Sequence, residues 1–145
     1  MFKHLLVPSD GSKVAVRACR AAVAFAAHRG ARITGYYALD DLNFLHAGAY
    51  QAMGPVAEFD RRTQEAAEAH LGELGRIARA AGVPFDWKVG RVTEPHLGIV
   101  HAATAAGCDL IFIASHGHRG LARLVLGSVT AKVLAHTTIP VLVYR

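Results

Sequence analysis

At 145 residues, 52% hydrophobic and 19% charged, the chain has the size of one domain over residues 1–145, long enough to bury a core without disulfides or a structural metal. No run approaches the roughly 18 uncharged apolar residues that cross a bilayer, and "MFKHLLVPSD" meets Pro8 and Asp10 too early for a signal peptide. The expected location is therefore the cytoplasm, with no membrane partner and with Cys19 and Cys108 as reduced, buried thiols. The net charge of +5 permits anionic partners. The basic residues form no dense run, and no aromatic platform or reading helix accompanies them, which argues against nucleic acid.

Short apolar runs alternate with helical patterns. "KHLLVPS" precedes "SKVAVRACRAAVAFAAHRG", a helix stopped by Gly30, on which Lys13, Arg17, Arg20 and His28 read as a solvated face. "RITGYYAL" reads as the next strand. The segment Asp40 to Pro55 has no assignable pattern, and a loop of that length is a candidate cover for a ligand. A helix is expected from about Val56 to Ala81, ended by Gly82. Ala67, Leu71, Leu74, Ala78 and Ala81 form its apolar stripe, and Arg61 with Glu65 an exposed pair. "VPFDWKVG" alternates Val83, Phe85, Trp87 and Val89 against Pro84, Asp86 and Lys88, the pattern of an edge strand with one open face.

A helix from about Glu94 to Ala106 ends at Gly107. "DLIFIAS" is apolar throughout, as a strand covered on both faces must be. A glycine loop, a helix from about Ser128 to His136 and the strand "IPVLVYR" close the chain. Strand–helix alternation of this kind specifies a parallel α/β sheet.

In such sheets ligands sit beyond the carboxyl ends of the strands. Two ends carry the residues for it. In "VPSDGS", Asp10 either faces a ligand or, with Ser12, only makes the turn and caps the helix. In "IASHGHRGLARLVLGSV", Gly117 follows a buried strand and Gly127-Ser128 precedes a helix. Ser128 offers N-cap chemistry, and the N–H groups of Ser128 and Val129 are positioned for an anion. No Gly-Lys-Ser/Thr follows, so this is not a P-loop. Arg119 and Arg123 are either phosphate partners or solvated loop cations. His116 and His118 lack a Cys, Asp or Glu within the loop to complete a metal site. His96 and His101, five apart, are poorly spaced for one helix face. Ser115-His116 lacks the glycine of a nucleophile elbow, and adjacent Ser and His are not expected to face each other.

Gly117, nine residues and Gly127-Ser128, together with "VPSDGS" and "IPVLVYR", resemble the universal stress protein family of the single-domain bacterial type, from end to end. The family motif is Gly, two residues, Gly, nine residues, Gly and Ser or Thr; Ala114 here replaces the first Gly. The resemblance implies a five-stranded parallel sheet of order 3-2-1-4-5 with helices on both faces (adenine nucleotide alpha hydrolase-like), and a homodimer, here expected through the C-terminal strand Ile139–Arg145. It also implies ATP or a related adenine nucleotide, with or without Mg²⁺. By position, Pro8, Ser9 and Asp10 would lie near the nucleoside and the backbone of Ala38 would meet adenine. Ala114, His116, Gly117, Gly127, Ser128 and Val129 would surround ribose and phosphates.

The function so implied is a nucleotide-binding regulatory or stress-protective module. No Asp or Glu lies in the glycine loop to place a metal or activate water, so fast catalysis is not expected; slow ATP hydrolysis or autophosphorylation stays open. The alternative is a dimeric interaction module of the same fold that does not bind ATP because of Ala114.

Overall fold

The computed structural model describes residues 1–42, 53–117 and 125–145. Among the described residues nine elements follow in order: β1 (His4–Pro8), α1 (Lys13–Arg29), β2 (Arg32–Asp40), α2 (Met53–Ala80), β3 (Phe85–Val92), α3 (Pro95–Ala105), β4 (Leu110–Ala114), α4 (Ser128–His136) and β5 (Val141–Tyr144). The strands form one parallel sheet of order β3-β2-β1-β4-β5, as the resemblance implies. His118, Arg119, Arg123 and most of Asp40–Pro55 lie outside the described residues.

Local chemistry explains the helix limits. Ser12 caps α1 by accepting the Ala15 N–H at 3.2 Å. Gly30 ends it at φ 61, a left-handed conformation that a Cβ disfavours. The other two glycine stops, Gly82 and Gly107, also have positive φ, 72 and 67.

Side-chain alternation along the central strands feeds two cores. Leu5, Val7, Ile33 and Phe112 pack with α1 and α2 on one face; Leu6, Tyr36, Ile111 and Ile113 pack with α3 and α4 on the other. From α2, Ala67, Leu71, Leu74 and Ala78 are buried as the stripe requires, but Ala81 is exposed because the helix ends at Ala80. Arg61 pairs with Glu65 at 2.6 Å.

The alternation expected in β3 fails at Trp87, which is 41% exposed although it shares a face with buried Phe85. Phe85 packs against Gly35 of β2 and Gly75 of α2, where the missing Cβ atoms make room for its ring. Trp87, further along the sheet edge, lacks such cover. Cys19 and Cys108 are free and buried; burial pushes their thiols up to about 12 and about 11, so both are protonated at neutral pH.

Candidate functional site

With β1 between β2 and β4, the strand order reverses direction at the carboxyl ends of β1 and β4. A cavity of about 550 Å³ opens there, within the range of small-molecule sites. Pro8, Ser9 and Asp10 line it from the end of β1, Ala38 from β2, and Ala114, His116 and Gly117 from the end of β4. Gly127, Ser128 and Val129 line it from the start of α4. The structure thus brings all ten candidate residues around one space.

The β1–α1 turn realises the turn-and-cap chemistry and still presents Asp10 to the cavity. Asp10 Oδ1 accepts the Ser12 N–H at 2.9 Å, and the Tyr37 hydroxyl donates to the Asp10 carbonyl at 2.9 Å. The other carboxylate oxygen lies where a side chain on Gly117 would begin. The two glycine-bearing turns therefore meet, and Gly117 is needed for Asp10 to sit where it does.

The return of the glycine loop is stitched to β4. The Gly127 N–H donates to the Ser115 carbonyl at 2.7 Å, and the Thr130 hydroxyl donates to the Ala114 carbonyl at 2.8 Å. This corrects one expectation and explains the glycine at 127. Gly127, not Ser128, is the N-cap of α4, and Ser128 is its first residue. The close approach that excludes a side chain at Gly127 is to backbone: an added Cβ would lie 3.0 Å from His116 Cα and 3.0 Å from the Ser115 carbonyl oxygen. Ala131 makes the first helical bond, to the Gly127 carbonyl at 2.9 Å. The N–H groups of Ser128 and Val129 therefore precede the helical ladder and carry the positive end of the helix dipole at the cavity wall.

Ala114 is the last residue of β4, paired with Tyr144, and its methyl packs in the α1-side core. Ser115 and His116, against expectation, do face each other: Oγ lies 2.9 Å from Nδ1. Among the described residues, the next helix after them is α4, which starts at Ser128.

Two features were not read from the sequence. His70, on α2 beside the Ala67–Leu71 stripe, reaches Ser9: Nε2 is 2.8 Å from Ser9 Oγ. Since the Gly11 N–H donates to that oxygen at 3.3 Å, the hydroxyl proton is free to donate to Nε2. Burial lowers the pKa of His70 while the Asp10 charge opposes it, so the imidazole is held toward its neutral, accepting form.

The second feature flanks the cavity at α3 and α4. His96 meets not His101 but His136, with ring centroids 4.8 Å apart. Its Nδ1 lies 3.2 Å from Glu94 Oε2, which also has Lys132 Nζ at 3.6 Å. The only sequence signal for either contact was a histidine near an apolar helix stripe.

Among the described residues no three His, Cys, Asp or Glu side chains are grouped to hold a metal, and no helix is long and apolar enough to cross a membrane.

Comparison with known proteins matches residues 1–145 to the universal stress protein family. A universal stress protein of Thermus aquaticus is 32% identical over 146 residues, covering 100% of both chains. The solved structure of protein MJ0577, a universal stress protein of Methanocaldococcus jannaschii, superposes with a TM-score of 0.81 at 27% identity. It covers 99% of this chain and 95% of that one. A universal stress protein solved in complex with cAMP has the same fold, with a TM-score of 0.70 at 24% identity, covering 99% of this chain and 97% of its own. With the family match running from Met1 to Arg145 and a solved relative sharing the fold over nearly the whole chain, the chain belongs to the universal stress protein family.

Proposed function

We propose that the cavity binds ATP or a related adenine nucleotide, and that the protein acts in the cytoplasm as a dimeric regulatory or stress-protective module. The observation that carries this reading is the convergence of β1, β2, β4 and the start of α4 on one cavity of about 550 Å³ at the switch point. The cAMP complex of a protein of the same fold supports it.

In this reading the base lies against the backbone of Ala38, and Pro8 and Asp10 approach the nucleoside. The phosphates lie at the start of α4. Because the Gly127 N–H is already bonded to the Ser115 carbonyl, the donors to phosphate are the N–H groups of Ser128 and Val129 and the Ser128 hydroxyl. Lys132, one turn on and lining the cavity, adds a positive charge that Glu94 shares. Mg²⁺ would bind with the phosphates, and Asp10 and Asp40 are the carboxylates that line the cavity among the described residues. The Ala114 methyl, directed into the α1-side core, is no barrier to the ligand.

Calorimetric titration with ATP, ADP and AMP, with and without Mg²⁺, tests the reading, together with mass spectrometry of ligand released by acid from the purified protein. Saturable 1:1 binding at or below millimolar concentration supports it. Absence of heat with all three nucleotides and no released nucleotide sinks it and leaves the interaction module without ATP.

A further inference from the structure

Tyr36 is an unusual wall residue for this cavity. It is only 4% exposed, and it lies on the same sheet face as Ala38, in the core that Ile99 of α3 joins. Among the described residues its hydroxyl has no hydrogen-bond partner. A phenol oxygen left so inside a protein is rare, because its lost hydration is not repaid.

The hydroxyl is nonetheless accommodated deliberately. Gly90 of β3 and Gly98 of α3 flank it, and a Cβ on either would collide with it; at Gly98 the separation would be 2.6 Å. Two absent side chains on two different elements thus build a slot for one oxygen. Among the described residues the side-chain atom that is both sealed from solvent and unpartnered is His4 Nδ1, not the Tyr36 oxygen. The small exposure that Tyr36 retains therefore includes its hydroxyl, and the residue lines the cavity. Burial raises the phenol above its ordinary pKa of 10.0, so it keeps its proton and can donate as well as accept.

We infer that Tyr36 is a ligand-reading residue, its hydroxyl hydrogen-bonding the polar edge of the heteroaromatic base held beside Ala38. The inference rests on the nucleotide reading above and adds to it a side chain that senses the base itself. Ala38 offers only backbone, and backbone groups do not change with sequence; Tyr36 supplies the variable element.

The test is Tyr36→Phe, which removes one oxygen and leaves the ring in its slot. Circular dichroism and thermal melting without ligand report the fold and are expected to match wild type. ATP affinity is expected to fall about fivefold, the usual net effect of one neutral hydrogen bond. Affinity for inorganic tripolyphosphate, which has no base, is expected to be unchanged. Equal ATP affinity in the two proteins overturns the inference and leaves the nucleotide reading standing. An equal loss for ATP and tripolyphosphate also overturns it, because the effect would then be general to the site. If tripolyphosphate binds too weakly to measure, the ATP comparison decides alone. A wild-type protein that binds no nucleotide overturns the nucleotide reading and this inference together.

Discussion

The carboxylate of Asp10 occupies the space into which a side chain on Gly117 would grow. One residue ends β1 and the other follows β4, so the contact joins the two loops of the switch point. Gly117→Ala would force Asp10 to rotate and give up its bond to the Ser12 N–H. The expected cost is about 1 kcal/mol of stability, with weakened nucleotide binding. Asp10→Ala in the same chain removes the clash, so the two substitutions should be non-additive by at least about 0.5 kcal/mol in urea unfolding. Strict additivity would show that the two loops do not communicate.

Ala114→Gly separates the structural from the ligand role of this position. Ala114 is 7% exposed and packs in the α1-side core. Loss of its methyl, with the added freedom of glycine in a strand, should lower stability by about 1 kcal/mol. ATP affinity should change by less than about tenfold. Absence of ATP binding in wild type and micromolar binding in the variant would mean that the methyl closes the site.

Stability should fall on mild acidification. Burial lowers the pKa of His4 below 6.5, helped by the charge of Arg32 and opposed by Asp109 and Asp86; burial does the same to His70 against Asp10. The unfolded chain takes up these protons near pH 6.5, the folded protein only at lower pH. Between those values the unfolded state holds more protons, so unfolding is favoured as pH drops. Urea midpoints should be level above about pH 7.5, decline through about 6.5, and flatten below the folded values. His4→Gln should shallow the decline; a midpoint unchanged from pH 7.5 to 5 contradicts this account.

The proposed dimer through Ile139–Arg145 can be tested without disturbing the sheet. The carbonyls of Pro140 and Tyr144 accept from Ile111 and Ser115 at 2.9 and 2.8 Å. Val141 and Val143 therefore turn their backbone groups to the open edge of β5. Val143→Pro removes an N–H from that edge and no bond to β4. Sedimentation should show wild type as a dimer at micromolar concentration and the variant as a monomer with its α/β circular dichroism retained. A monomeric wild type rules the dimer out.

What the sequence determined by itself is local. The positions of α1 and α3 and the glycine stops at Gly30, Gly82 and Gly107 were legible because periodicity and capping depend on neighbours within about four residues along the chain. The apolar run of β4 likewise announced a strand covered on both faces. Motif resemblance then brought the order of the sheet and the two loops of the cavity. Other contacts were decided only by how the helices lie on the sheet. Ser9 meets His70 across 61 positions in the chain. His96 takes His136 as its ring partner instead of the nearer His101. Trp87 is left open beside buried Phe85, and the Tyr36 hydroxyl fits only because Gly90 and Gly98 fall on either side of it. Spacing along a strand or helix says which face a side chain takes; what waits on that face is set by the packing of another element, and residue spacing carries no record of that distance.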